Sequence, residues 1–293
     1  GAAQTAPRPA RNAAIALVLG FIAAGAWAWW RDEQRDQVDS RQAPAAALDA
    51  PLLGTVPKFS AVKATGPAPT VTNPDSAASE AYYFVVSSLN LALSGIGGST
   101  VLVTSTGAGD GKTVTALNLA VAAAGNGRRP LLIDSDIRSN GLTKLSGLDG
   151  VKGLTDLAGD ATRPRNLIRR WAVAPDTDLQ FGPAGSSPSA DPARFFRSTA
   201  FLEAMPELAD GQVLTIIDAP PILDVAETTD IAHEADGILV VVSEGTSFKR
   251  LAEARDRIAM TGKPILGYIY NRATDASHKS GYSYGYGSTE PDG

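Results

Sequence analysis

Val101-Leu-Val-Thr-Ser-Thr-Gly-Ala-Gly-Asp-Gly-Lys-Thr113 is the stretch on which the reading of this chain turns. The apolar run Thr100 to Val103 predicts a buried strand. A glycine-rich turn follows, and the apolar period from Val114 to about Ala124 predicts a helix. A strand feeding a helix through such a turn gathers backbone N–H groups and a helix N-terminus around an anion. In that geometry Lys112 reaches the β- and γ-phosphates of a nucleotide, and the Thr113 hydroxyl ligates Mg2+. Gly107, Ala108, Gly109, Asp110, Gly111 and Val114 complete the expected phosphate-binding loop. The consensus first glycine falls on Thr106, so Gly107 and Gly109 supply the flexibility instead.

Two further segments converge on the same site. Pro130-Leu-Leu-Ile-Asp-Ser-Asp-Ile-Arg138 predicts a short buried strand ending in Asp134 and Asp136. Val213-Leu-Thr-Ile-Ile-Asp-Ala-Pro-Pro221 predicts another, ending in Asp218. Ligands of parallel α/β sheets sit at the carboxyl ends of the strands. Three such ends would place a lysine, a hydroxyl and three carboxylates around one phosphate site, the inventory for Mg2+-dependent phosphoryl transfer. A lone aspartate after a strand is often only a helix cap; three at converging strand ends are not explained that way.

Composition narrows the class. The chain has 293 residues, no cysteine and two histidines, His233 and His278. That excludes a disulfide framework, thiol chemistry and a histidine metal cluster. A formal net charge of −5 argues against a nucleic-acid binder.

Residues 13–30 form an apolar, charge-free run. At about 1.5 Å per residue it spans roughly 27 Å, enough for a bilayer core. Trp27, Trp29 and Trp30 crowd one end like interfacial anchors. The tryptophans, and the charged Arg31-Asp-Glu-Gln-Arg35 that follows, argue for a transmembrane helix over a cleaved signal. Flanking arginines are nearly balanced, so orientation follows from the nucleotide site, which belongs in the cytoplasm. The resulting division is an extracytoplasmic stub 1–12, a membrane helix 13–30, a juxtamembrane linker 31–51, a nucleotide-binding domain 52–274 and a polar Tyr/Gly tail 275–293. The chain opens at Gly1 without an initiator methionine, so a fragment or a processed form is expected.

Later segments alternate in α/β fashion. Helices are expected over Glu80 to Leu93, Ala193 to Met205 and Phe248 to Met260. Strands are expected over Leu179 to Pro183, Gly237 to Ser243 and Pro264 to Asn271, and a surface loop over Ala61 to Ala77. The fold class is α/β with a mostly parallel, doubly wound sheet. The tail from 275 is too polar to build a core, so Tyr282, Tyr284 and Tyr286 would be exposed.

These motifs together resemble the bacterial tyrosine autokinases of capsular and exopolysaccharide biosynthesis, a branch of the MinD/ParA-like P-loop ATPases. Thr104–Thr113 is similar to their Walker A, Leu131–Arg138 to Walker A′, and Ile216–Pro221 to Walker B with Ala219 at a hydroxyl position. Leu52-Leu-Gly-Thr-Val-Pro57 resembles the segment after the membrane linker, and Tyr282, Tyr284 and Tyr286 the C-terminal tyrosine cluster.

The resemblance implies ATP and Mg2+, with Lys112, Asp134, Asp136 and Asp218 catalytic. Thr113, Asp136 and Asp218 would hold the metal, and Asp134 would orient or deprotonate a tyrosine hydroxyl, a role exchangeable with Asp136. Arg138 would engage a neighbour or phosphate. Asn271 and Arg272 fall where MinD-like ATPases read adenine, and the three tail tyrosines would accept phosphate. Implied partners are the membrane, further copies of the chain, the polysaccharide polymerase and export machinery, and a protein-tyrosine phosphatase; no nucleic acid is implied. The implied location is the bacterial inner membrane, with the ATPase domain and C-terminus in the cytoplasm.

Glu80 stands where the family's ring-forming helix begins, but Tyr83 and Val86 replace its arginines, which predicts weakened assembly. Two other readings stay open: a degenerate ATP-binding regulator with little kinase activity, and a MinD/ParA-like positioning ATPase.

Overall fold

The computed structural model describes residues 9–59, 68–158, 163–174, 176–186 and 191–274. The expected stub falls mostly, and the tyrosine tail wholly, outside the described residues. In chain order the elements are α1 (Pro9–Arg35), α2 (Pro44–Leu48), β1 (Leu52–Pro57), α3 (Pro69–Thr72), α4 (Ala77–Gly95), β2 (Thr100–Ser105), α5 (Lys112–Gly125), β3 (Leu131–Asp134) and α6 (Gly141–Leu145). Short 3₁₀ turns at Leu154–Ala158 and Pro164–Leu167 lead to β4 (Arg169–Ala174), β5 (Thr177–Gly182), α7 (Pro192–Phe196), α8 (Thr199–Ala209), β6 (Thr215–Asp218), α9 (Glu227–Ala232), β7 (Gly237–Ser243), α10 (Phe248–Ala259) and β8 (Ile265–Ala273).

Helix α1 belongs to a unit of its own, residues 1–37. Within it Pro9–Ala28 has a mean hydropathy of 1.5, long and apolar enough to cross a membrane. The Arg31 guanidinium stacks over the Trp27 ring, 5.1 Å from its centroid.

The second unit begins at Val38. Its eight strands run in the order β1-β8-β7-β2-β6-β3-β5-β4, and only β4 is antiparallel to its neighbour. Parallel pairing demands crossover helices, and these cover both faces. On one face α4 and α5 pack against β1 and β2. Tyr82, Val85, Val86, Leu89 and Leu93 of α4 recur at helical spacing and are all buried. Burying each aliphatic side chain stabilises by about 1.5–3 kcal/mol relative to exposure. Ser76 caps α4, its hydroxyl accepting from the Ser79 N–H at 3.2 Å. On the other face Phe195, Phe196, Phe201, Met205 and Leu208 pack with Ile217, Ile222 and Leu251.

Several expectations are corrected. The segment 31–51 is not a free linker: α1 continues to Arg35, and from Val38 the chain is part of the domain. Val38 donates to the Thr246 carbonyl and accepts from the Gly245 N–H, both at 2.9 Å, while Val38, Leu48 and Ala50 are buried. The expected helix 193–205 is two, because Ser198 breaks it and caps α8 by accepting from Phe201 N–H. The expected loop 61–77 contains α3, where the buried Thr70 hydroxyl donates to Asn118 Oδ1 at 2.7 Å. Strand β4 is unanticipated. Arg169-Arg170-Trp171-Ala172-Val173-Ala174 lacks clean alternation, and it is held as an edge strand by β5 and by the Trp171–Phe181 ring contact at 5.1 Å. Val86, standing at an expected ring-forming position, is fully buried against the sheet, and Tyr83 packs near Gly125 of α5.

Candidate active site

The glycine-rich loop leaves the end of β2 and enters α5 with Gly109 at φ 87° and Gly111 at φ 93°. Both lie in the left-handed region that favours glycine. A Cβ on Gly111 would also sit 2.3 Å from the Asn271 side-chain nitrogen. The loop is laced from three sides. The Asp110 carboxylate accepts from the Gly107 N–H at 2.9 Å and the Thr106 hydroxyl at 3.2 Å. The Asp110 carbonyl accepts from the Asn271 amide at 2.9 Å and the Ser243 hydroxyl at 3.0 Å. Arg250, from α10, donates to the Thr106 carbonyl and sits 3.4 Å from Asp224.

Asp134 and Asp218 are paired across β3 and β6, so their backbones lie side by side. Ser135 locks the two ends together, its N–H and hydroxyl both donating to the Asp218 carbonyl at 2.9 and 2.7 Å. Asp134, Asp136 and Asp218 are all buried. Asp134 Oδ2 accepts from the Thr143 N–H at 2.8 Å and hydroxyl at 2.7 Å. Asp136 Oδ1 accepts from the Ser139 N–H at 3.1 Å, and its Oδ2 lies 3.4 Å from Lys112 Nζ.

Electrostatics follow from this burial. Loss of water raises the Asp134 carboxyl to about 6, against the stabilising bonds from Thr143. Burial, then repulsion from Asp134, pushes Asp218 well above the ordinary carboxylate range, opposed by the charge of Lys112 and by the nearby Thr113 hydroxyl. Among the described residues, both Asp218 oxygens and Asp134 Oδ1 are buried with no hydrogen-bond partner. Unpartnered buried carboxylate oxygens are costly unless something charged meets them. Hard oxygen donors beside a phosphate-binding loop suit Mg2+.

The structure thus brings Lys112, Thr113, Asp134, Asp136 and Asp218 together at the ends of three neighbouring strands. Arg138 sits beside them, paired at 2.5 Å with the buried Glu227. Arg272 lines a cleft of about 600 Å³ with residues 106–110, Asp224, residues 243–247 and Arg250. Asn271, expected at adenine, donates to the loop backbone at Asp110 and is 5% exposed. Sequence reasoning missed Thr143, Ser243, Glu227 and Arg250. A threonine in the short helix α6, seven residues after Asp136, was the only available signal for Thr143; the others carried none.

We expect Asn271→Ala to weaken nucleotide affinity about tenfold, the scale of one lost buried hydrogen bond. Titration with a fluorescent ADP analogue measures it. If adenine-over-guanine selectivity collapsed instead, the amide would be assigned to the base.

Comparison with known proteins agrees with this fold. The CobQ/CobB/MinD/ParA nucleotide binding domain family matches residues 101–282. Tyrosine-protein kinase YwqD of Bacillus subtilis is 30% identical over 221 residues, covering 75% of this chain and 90% of YwqD. The chain belongs to the bacterial tyrosine-protein kinases. This kinase is also 30% identical over 216 residues to the putative tyrosine-protein kinase EpsB of Ralstonia solanacearum, but spans only 28% of that protein's length. The solved BceF tyrosine kinase domain superposes with a TM-score of 0.70 at 25% identity, covering 80% of this kinase and 98% of BceF's domain. The mostly parallel P-loop fold expected from the sequence is therefore the fold of this family.

Proposed function

We propose that this kinase is a membrane-anchored, ATP- and Mg2+-dependent tyrosine autokinase that regulates capsule or exopolysaccharide polymerisation and export. Helix α1 anchors it in the inner membrane, with the domain from Val38 and the C-terminus in the cytoplasm. The observation that carries the reading is the cluster of Asp134, Asp136 and Asp218, buried beside Lys112 and Thr113, with both Asp218 oxygens and Asp134 Oδ1 lacking a partner among the described residues. A site so rich in buried carboxyl groups beside a phosphate-binding loop is matched to a phosphate-bearing ligand that arrives with a divalent cation.

The loop amides and Lys112 bind the ATP phosphates. Lys112 leaves Asp136 for the γ-phosphate, a short displacement for a flexible side chain. Thr113, Asp136 and Asp218 would hold Mg2+, which neutralises phosphate charge when bound. Asp134, braced by Thr143, accepts the proton of the incoming tyrosine hydroxyl; the phenol oxygen then bonds to the γ-phosphorus as the bond to ADP breaks. Positioning and charge stabilisation supply most of the rate. The cleft beside Arg250 and Arg272 accommodates the base. Tyr282, Tyr284 and Tyr286 are the acceptors, since Tyr82, Tyr268 and Tyr270 are buried and the half-buried Tyr83 is packed against Gly125 of α5. A phosphatase would reverse the modification.

Self-association is proposed to be weak. Val86 faces inward, and the outer face of α4 offers Phe84 and Leu91, 65% and 77% exposed, in place of ring-forming arginines.

Phosphotyrosine mapping after incubation with MgATP tests the reading. Phosphate is expected on the tail trio and is expected to vanish when all three become Phe, with ATP binding intact. A protein that binds MgATP yet carries no tail phosphotyrosine would instead be the degenerate regulator, a reading that Ala219 and inward-facing Val86 favour.

A further inference from the structure

A second cavity lies away from the catalytic aspartates. It measures about 640 Å³ and is lined by Arg129, Arg165, Arg169 and Arg170, the amides of Gln180 and Gln212, and an apolar wall that includes Ile168 and Leu208. Four guanidinium groups meet one lining carboxylate, Asp178, in a chain whose net charge is −5. Arg129 precedes β3 and Gln212 precedes β6, so the groove opens toward the strand ends opposite the phosphate-binding loop.

The arginines are held but not used up. Arg170 pairs with Asp178, and Arg165 with Asp210 at 3.1 Å, yet their side chains remain 79% and 55% exposed. Arg169 Nη1 donates to the carbonyls of Asn166 and Ile168 at 2.6 and 3.2 Å, which orients its fork. Arg129 has no ion-pair partner among the described residues. Each guanidinium carries five donors, so several stay available for a phosphate. Gln212 donates to Gln180 at 3.3 Å, leaving the Gln212 oxygen and a Gln180 N–H for backbone groups of a ligand. Guanidinium forks beside an apolar wall call for a ligand with a doubly charged head on an apolar ring.

We infer that this groove binds phosphotyrosine in the C-terminal tail of a second copy of the chain. The inference rests on the proposed kinase activity, which supplies the phosphate. Charge favours the tail: residues 275–293 carry Asp275, Glu290 and Asp292 against Lys279, and each phosphate adds about −1.5 to −2. Reach favours a second copy. From β8 to β4 the sheet crosses six strand spacings, about 29 Å at ~4.8 Å each, and the groove is at the opposite strand ends. Tyr282, Tyr284 and Tyr286 lie eight, ten and twelve residues beyond Thr274, at most about 28, 35 and 42 Å fully extended, whereas that crossing plus the ~20 Å length of a six-residue strand between the two ends is about 49 Å around the surface.

The test uses the full chain in detergent, loaded with MgADP, with Tyr282, Tyr284 and Tyr286 replaced by Phe so that its own tail cannot compete. A fluorescent peptide of residues 278–290, phosphorylated on Tyr284, is titrated by anisotropy. Binding about tenfold or more tighter than the unphosphorylated peptide is expected, the scale of one or more charged hydrogen bonds. The Arg129→Ala/Arg170→Ala protein should lose that preference. Arg129→Lys/Arg170→Lys should lose most of it, because lysine keeps the charge but not the fork. Neither pair should change autophosphorylation of a chain with its tail tyrosines intact, measured in parallel. The peptide arrives already phosphorylated, so a failed kinase assay and a failed binding assay are separate results. Equal binding of both peptides would overturn the inference, as would full binding by the double-alanine protein at an unchanged melting temperature. Displacement by a sulfated polysaccharide without phosphate preference would also overturn it and reassign the groove to polyanions.

Discussion

Lys112→Met is expected to lower ATP turnover by at least about a thousandfold, ~4 kcal/mol of lost transition-state stabilisation. The lysine is the basic side chain that approaches Asp136, at 3.4 Å, from the first residue of α5. No neighbour replaces it: Arg138 is engaged by Glu227 and Arg250 by the loop carbonyl of Thr106. Methionine matches the stem but removes the charge. The domain should stay folded, because β2 and α5 are packed through Val101, Leu102, Leu117 and Val121 rather than through Lys112. Melting should fall only a few degrees, reflecting Asp136 left without its cation. Turnover assays and thermal melts of the two proteins decide it. Wild-type turnover in a folded mutant would remove Lys112 from the mechanism.

Asp134→Asn is expected to separate activity from stability. The carboxyl is fully buried, and its Oδ1 has no partner. Its folded value of about 6 lies above the ordinary range. A raised carboxyl contributes stability that is present below the unfolded value, near 3.9, and is lost as pH rises through about 6. The nucleotide-free protein should therefore lose stability across that window, and Asp134→Asn should flatten this part of the profile. The asparagine oxygen keeps both bonds from Thr143, and its NH2 is neutral where the carboxylate repelled Asp218. At neutral pH the variant should melt several degrees higher, at about 2–4 °C per kcal/mol for a domain of this size. Tail phosphorylation should meanwhile fall by about a hundredfold or more, the range for loss of a general base. A variant that kept its activity would pass the base role to Asp136. One that melted lower would show that the Asp134 charge is compensated in the free protein. Such a pairing, activity lost as stability is gained, is common where catalytic sites hold buried charge.

Much of the site was legible because its signals are local. A strand, a glycine turn and a helix follow one another within Thr100–Gly125, and each is written in the period and turn residues of its own segment. The aspartates at 134, 136 and 218 end short apolar runs, and parallel sheets bring such ends to one edge. The boundary at Val38 was not legible, because a charged, Ala/Pro-rich segment reads as solvated until its partners at Gly245 and Thr246, some two hundred residues away in sequence, are known.

By itself, then, the sequence determined the class of fold, the phosphate-binding loop, the three acidic strand ends and an apolar helix of membrane length. The tertiary structure alone decided which side chains meet. Asn271 holds the loop carbonyl of Asp110 across 161 residues of sequence, Thr143 rather than a nearer hydroxyl braces Asp134, and Val86 turns into the core. It also gathered Arg129, Arg165 and the β4 pair Arg169 and Arg170 from three segments into one groove. The reason is physical. Periodicity and turn chemistry act between neighbours along the chain, whereas hydrogen-bond and ion-pair partners are chosen by strand order and register, which depend on how all the apolar faces pack at once.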